Sequence, residues 1–220
     1  MVERITRRGM LVRLGGFLAA AAGIGAWRGS SATAASSVSC VLTPEQTEGP
    51  YYISGEKLRR NITEGRPGTR LDLHLTVADA TTCRPIKNAV VDIWHADAGG
   101  TYSGFGAGAS SRTFMRGLQK TGGNGLAVFR TVYPGWYMGR TVHIHVKVHV
   151  GGNVVHTGQL FFSDTLTDAV YKRTPYSRRP NRDVRNAQDN IYQSGGRQST
   201  LTLKRKSTGY VGSIVMGVRR

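Results

Sequence analysis

From Arg70 the chain alternates. Leu71, Leu73, Leu75 and Val77 fall on one side of an extended backbone and Asp72, His74 and Thr76 on the other, which predicts a half-buried β-strand. Comparable runs at Ala89 to Trp94, Leu126 to Val132, Val142 to Val150, Val154 to Phe162, Thr200 to Lys204 and Tyr210 to Val218 are punctuated by Gly-Gly, Asn-Gly and Pro-Gly pairs. Asn124-Gly125 and Gly151-Gly152-Asn153 read as hairpin turns, and Ser207-Thr208-Gly209 as a weaker one. Many short strands and no long amphipathic pattern predict an all-β fold, an antiparallel β-sandwich with long loops and little helix, at most a turn or two near Leu166 to Tyr171. Two stretches carry no strand pattern, the Gly/Ser-rich Ser103 to Arg112 and the polar Thr174 to Ser194. Structureless connections of that length in a small domain point to a functional lid or a mobile excursion.

The N-terminus follows a different logic. Thr6-Arg7-Arg8-Gly9-Met10-Leu11-Val12 leads into an uncharged Ala/Gly/Leu run and then Ala32-Thr33-Ala34, an A-x-A cleavage pattern. Residues 1–34 therefore read as a twin-arginine export signal, residues 35–41 as a Ser-rich tether and residues 42–220 as one domain. The alternatives are an N-terminal helix of the domain itself, or a lipoprotein signal ending at Cys40, for which Ser37-Val38-Ser39-Cys40 is a poor match. No run of 18 apolar residues supports a lasting membrane span. Export delivers the chain to a secreted, periplasmic or cell-surface location, an oxidising setting in which Cys40 and Cys83 are expected to pair, the alternative being two free thiols. Two cysteines are too few for a disulfide scaffold or a thiolate zinc site. The twin-arginine route carries folded proteins, which suits one that takes up a metal before export.

Thirty Lys and Arg against 13 Asp and Glu give the 220-residue chain a net charge of +17, a value that raises nucleic acid or another polyanion as a partner. Without residues 1–34 it falls to +13, and twelve of the remaining basic residues lie between Tyr171 and Arg220, against only Asp183 and Asp189. No recognition motif accompanies them and export removes the partner, so nucleic acid is excluded. The late basic cluster predicts weak attachment to anionic surfaces.

The strand Val142 to Val150 carries the candidate chemistry. His143, His145, Lys147 and His149 share one face, with neighbours about 6.5 to 7 Å apart, close enough for two imidazoles to converge on one ion. His149 lies about 13 Å from His145 and reads as a surface histidine. Spacing alone leaves His143 and His145 open between a ligand pair and the polar outer face of an ordinary strand. Acidic residues are sparse nearby and tyrosine is abundant. Tyr102 follows Gly99-Gly100-Thr101, and Tyr137 follows Pro134-Gly135-Trp136. A phenol with pKa near 10 ionises at neutral pH only when a strong Lewis acid replaces its proton, as a trivalent iron does.

Four ordered blocks, TPEQTEGPYY (Thr43 to Tyr52), VDIWHADAGGTYSGF (Val91 to Phe105), TVYPGWYMGRTVHIHVKV (Thr131 to Val148) and TGQLFF (Thr157 to Phe162), give the chain from about Leu42 to Val218 a resemblance to the intradiol ring-cleavage dioxygenases, in particular their short exported bacterial branch. The resemblance implies a non-haem Fe(III) held by Tyr102, Tyr137, His143 and His145 with a hydroxide. It further implies cleavage of a catechol-type aromatic diol by dioxygen to a cis,cis-muconate. Fe(III), two phenolates and a hydroxide sum to zero charge, which suits a half-buried centre. Tyr137 would be the phenolate that leaves on substrate binding, Arg140 would stabilise charge on the ring, and Gln159 would hydrogen-bond in the same pocket. Pro50 and Tyr51 would line the mouth. Read without the motif, Arg140 is a loop arginine, Gln159 an ordinary strand polar residue, and Pro50-Tyr51 a turn followed by a packed aromatic. Only six positions separate Tyr137 from His143, fewer than in longer family members, which implies a more open and less selective site. The helical dimerisation region of the intracellular enzymes has no counterpart, so no oligomeric state carries over. Two other readings use the same residues: a Cu(II) oxidase with Tyr/His ligands, and a non-catalytic transthyretin-like sandwich that binds aromatic molecules.

Overall fold

The computed structural model describes residues 40–106 and 108–220, so the export signal and most of the tether lie outside the described residues. Among the described residues eight strands form two sheets: β1 (Arg70–Asp79), β2 (Val90–Trp94), β3 (Arg116–Lys120), β4 (Leu126–Val132), β5 (His143–Val150), β6 (Asn153–Phe161), β7 (Thr202–Lys206) and β8 (Gly209–Val218). The first sheet runs β4-β1-β8-β7 and the second β3-β2-β5-β6. Between them Leu71, Leu73, Leu75 and Val77 of β1 meet Val91, Ile93, Ile144, Val146 and Val148 of the second sheet in a fully buried core. The alternation read along β1 is the alternation seen, with buried leucines inward and partly exposed polar residues outward. Among the described residues no helix is long and apolar enough to cross a membrane.

Three features depart from the pattern along the chain. β1 and β8 run parallel, while every other pair is antiparallel. The chain returns to β8 after crossing from the second sheet, so the hydrophobic period alone could not set the direction. Arg116–Lys120 was not expected as a strand: RGLQK holds one large apolar residue, and this short strand pairs with β2 on one side and with a single bridge at Leu58 on the other. One helix, α1 (Asp164–Tyr171), stands where a turn or two was expected, started by the Ser163 hydroxyl, which accepts from the Leu166 N–H. The polar connection beyond it holds short helical turns at Tyr176–Arg178 and Asn186–Gln188.

The second face of the β3-β2-β5-β6 sheet is also covered. Cys40 is disulfide-bonded to Cys83, with Cα atoms 5.3 Å apart. From there Thr43 donates its N–H to the Gly217 carbonyl at 2.9 Å and Gln46 to that of Thr157 at 2.9 Å, so the segment crosses from the first sheet onto β6. It lays residues 46–52 over the face that carries His143 and His145. Both faces of β5 are consequently buried from His143 to Val148, and its polar residues line a second interior layer instead of an outer surface.

Candidate metal centre

The histidines project from β5 into that second layer, 3 % and 1 % exposed, with their Nε2 atoms 3.1 Å apart. Nδ1 of His143 lies 2.7 Å from the Thr141 carbonyl, which can only accept, so His143 carries its proton on Nδ1 and presents a lone pair at Nε2. The Tyr137 hydroxyl lies 3.1 Å from that same Nε2. Tyr102 completes the group, its ring centroid 5.5 Å from that of Tyr137 and 6.0 Å from that of His145. The Tyr102 hydroxyl is buried and has no hydrogen-bond partner among the described residues.

Two turns deliver the tyrosines, and one aspartate holds both. The Asp97 carboxylate accepts from the Gly99 and Thr101 amides at 2.8 and 3.0 Å, fixing the turn before Tyr102. Its backbone carbonyl accepts from the Gly135 amide at 2.9 Å, fixing the loop before Tyr137. Gly100, at φ +81°, packs so tightly here that a Cβ would lie 2.2 Å from the Trp136 carbonyl oxygen. Gly100→Ala is therefore expected to cost about 2 kcal/mol or more, a fall of roughly 4 to 8 °C in the thermal midpoint measured by circular dichroism. An unchanged midpoint would contradict the packing.

Neighbouring rings fix the remaining donors. Trp94 stacks on His145 with centroids 4.9 Å apart and planes within 5°. From the covering segment, Gly49, at φ +73°, approaches so closely that a Cβ would lie 3.1 Å from the His145 ring. Tyr51 stacks on Tyr102 at 4.3 Å, while Pro50 is exposed in the preceding turn. Arg140 donates through Nη2 to Gln159 Oε1 at 2.6 Å and through Nε to Asp189 at 2.8 Å. Gln159 stands opposite His145 in the β5–β6 register. The structure thus gathers Tyr102, Tyr137, His143 and His145, brings Arg140, Gln159 and Tyr51 to their edge, and leaves Pro50 at the surface. His149 is partly exposed near the far end of β5, where a surface histidine was expected. Lys147, on the same face, is buried against Glu48 and the Tyr52 ring.

All four donors are held neutral. Burial, reinforced by Arg140, keeps His143 down at about 3, and burial together with His143 keeps His145 well below its ordinary value. Burial also raises both phenols, that of Tyr102 far above 10. Converging lone pairs, an orphaned hydroxyl and phenols that cannot ionise alone form a set that a cation would satisfy. Among the described residues no three His, Cys, Asp or Glu side chains cluster as a metal set, so the phenols are needed. With metal–nitrogen distances of about 2.1 Å, Nε2 atoms 3.1 Å apart would let both imidazoles hold one ion. The residues present fit a hard or borderline metal ion with an N₂O₂ donor set.

Asp97 and Asp189 were missed along the chain. Asp97 had a local signal, an aspartate just before Ala-Gly-Gly-Thr, the composition of an Asx-type turn. Asp189 has local partners in the Ile191 and Tyr192 amides, but the Arg140 and Thr141 contacts that bring it to the site span about fifty residues and left no local signal.

A family model described as Dioxygenase matches residues 47–173, which include every donor of the centre. Catechol 1,2-dioxygenase 1 of Acinetobacter lwoffii is 36% identical over 101 residues, 43% of this chain and 32% of that protein. Chlorocatechol 1,2-dioxygenase of Rhodococcus opacus is 25% identical over 143 residues, 56% of this chain and 55% of that protein. The match thus spans a third to about half of these curated relatives. Among solved structures, an intradiol ring-cleavage dioxygenase from Tetranychus urticae superposes with a TM-score of 0.77 at 37% identity, over 82% of this chain and 95% of that one. The dioxygenase domain of a carbohydrate-binding fusion from Streptomyces sp. SirexAA-E superposes with a TM-score of 0.63 at 30% identity, over 81% and 98%.

Proposed function

Because the chain belongs to the intradiol ring-cleavage dioxygenase family, we propose that it is a non-haem iron(III) enzyme that opens catechol-type aromatic diols with dioxygen, between the two hydroxylated carbons, to cis,cis-muconate-type products. The observation that carries this reading is the buried Tyr102 hydroxyl, which lacks a partner yet sits beside two imidazole nitrogens and a second phenol. A buried hydroxyl left unmade costs about 1 to 3 kcal/mol, so its retention favours a bound ion as its partner.

Tyr102, Tyr137, His143 and His145 would hold the iron. When bound, Fe(III) supplies the Lewis acidity that favours the diol as its dianion and the redox chemistry by which the ring reacts with dioxygen. The chain's own residues divide the remaining work. Tyr102 is the fixed donor, 5 % exposed, stacked under Tyr51 and held by the Asp97 turn. Tyr137 is more exposed and bonded to His143, so its oxygen is the one that would take a substrate proton. The Thr141 carbonyl, through Nδ1, keeps His143 in the tautomer that donates from Nε2. Arg140, fixed by Gln159 and Asp189, supplies positive charge where the ring gains electron density. Tyr51 and Phe105, in edge contact at 5.2 Å, form an aromatic wall beside the centre for a flat substrate. Export by the twin-arginine signal belongs to the same proposal, supported by the Cys40–Cys83 disulfide.

The test is oxygen uptake by the iron-loaded protein across a panel of catechols, with products identified by mass. The expected result is a coloured protein, with tyrosinate-to-iron charge transfer, that consumes one dioxygen per diol and gives a product heavier by both oxygen atoms. A colourless protein after iron loading, or hydrogen peroxide produced only with copper, would overturn it.

A further inference from the structure

The long polar connection after α1 is bonded along its length to one short loop. Arg179 Nη1 donates to the Trp136 carbonyl at 2.6 Å, and Trp136 Nε1 to the Pro180 carbonyl at 3.2 Å. The Gly139 amide donates to Asp183 at 2.8 Å and the Thr141 hydroxyl to Asn186 at 2.7 Å. The loop so held carries Tyr137 and Arg140 and leads directly into His143.

Asp189 is the deepest of these contacts, its side chain 1 % exposed. Oδ2 accepts from Arg140 Nε at 2.8 Å and from the Thr141 amide at 2.9 Å. Oδ1 accepts from the Ile191 and Tyr192 amides, each at 2.9 Å. Its two oxygens are thus fully used by N–H donors, and its own orientation is fixed. On the guanidinium, Asp189 takes Nε and a longer 3.5 Å contact from Nη2 to Oδ1, and Gln159 takes Nη2, which leaves Nη1 as the nitrogen without a protein partner among the described residues.

Resting on the reading of the preceding section, we propose that Asp189 is a positioning residue for the ring-cleavage reaction, locking the Arg140 guanidinium so that Nη1 alone is presented to the bound diol. An arginine side chain carries about 2 kcal/mol of rotamer entropy, and one on a half-exposed loop spends most of its time in solvent unless it is held. Two fixed contacts remove that freedom before the substrate arrives. The carboxylate also balances the guanidinium charge beside a centre whose donors are neutral, without occupying the nitrogen left for the substrate.

A double-mutant cycle with Asp189→Asn and Arg140→Gln tests this on the iron-loaded protein. Asp189→Asn is expected to lower kcat/KM for catechol about 30-fold and to weaken anaerobic catechol binding by calorimetry, with the tyrosinate-to-iron band unchanged. In the Arg140→Gln background the same substitution should change kcat/KM less than about threefold. An equal loss in both backgrounds would show a merely structural role and overturn the proposal. A separate readout needs no turnover: in metal-free protein the Arg140 Nε–H should give a protected ¹H–¹⁵N signal that is lost in Asp189→Asn. A signal that persists overturns the proposal whether or not the wild type cleaves catechols, and a wild type that cleaves none while the signal behaves as expected overturns only the assigned reaction. Asp189→Glu, which keeps the charge but displaces both oxygens, should give an intermediate loss in every readout and decides the matter if Asp189→Asn fails to fold.

Discussion

Replacing Tyr102 by phenylalanine is expected to lower kcat/KM for catechol by about 10³-fold or more while leaving the fold intact or slightly more stable. The two halves of that result come from one atom. Phenylalanine keeps the ring stacked on Tyr51 at 4.3 Å and packed beside Trp94, so the apolar contacts survive. What is lost is a hydroxyl that is buried and makes no hydrogen bond, whose removal relieves a desolvation cost of about 1 kcal/mol. As a proposed iron ligand the same oxygen supplies one of only two anionic protein donors, and losing it leaves the ion with uncompensated charge in a buried site. Tyr137→Phe is a useful contrast, since that hydroxyl does bond to His143 at 3.1 Å and its removal gives no stability gain. Thermal unfolding, iron content and the visible band, measured together on the two variants, check the prediction. A Tyr102→Phe protein that still binds iron, keeps its colour and turns over catechol would remove Tyr102 from the centre.

Much of this site was legible along the chain because its signals are local. A period of two set His143 and His145 on one face of a strand, and β5 puts their nitrogens 3.1 Å apart. Gly-Gly-Thr-Tyr and Pro-Gly-Trp-Tyr announce turns, and turns deliver both phenols. The missing parts are non-local. Nothing near His145 says that Gly49 and Trp94 will pack against it, so an outer polar face and a buried layer have the same period. Lys147 resembles a solvated residue until Glu48 is brought against it from the covering segment. The connection from Thr174 to Ser194 reads as a mobile excursion because it has few apolar residues. Its order comes instead from bonds to the Trp136 to Thr141 loop, which no periodicity encodes. The parallel pairing of β1 with β8 has the same origin, since strand direction depends on where the chain has been.

Acid is expected to remove at least about 5 kcal/mol of folding stability from the metal-free protein between pH 6.5 and pH 4.5. Burial holds His95 and His156 down at about 4, and burial with the nearby Arg140 holds His143 at about 3, all from an ordinary value of 6.5. His95 is fully enclosed, with Nδ1 2.8 Å from the Ala96 carbonyl and Nε2 2.8 Å from the Thr131 hydroxyl, and Nε2 of His156 has no partner among the described residues. Below pH 6.5 the unfolded chain gains these protons and the folded chain does not, so stability is full above 6.5 and falls as pH drops toward the folded values. Asp92 opposes this. Burial raises its carboxyl to about 7 from 3.8, so within the same window the folded chain keeps a proton that the unfolded chain has lost. Three histidines against one aspartate leave a net of two protons, and His145, which burial and His143 also hold well below its ordinary value, adds to the loss. At about 1.4 kcal/mol per proton per pH unit, two units give the stated loss, a large part of the 5 to 15 kcal/mol typical of a domain. Urea unfolding followed by tryptophan fluorescence at pH 7 and pH 4.5 measures it. His156→Leu, which replaces a buried imidazole outside the proposed centre with a side chain of similar bulk, should flatten the slope by about one proton. Equal urea midpoints for the wild type at the two pH values would mean that these histidines titrate freely in the folded chain, contrary to their burial.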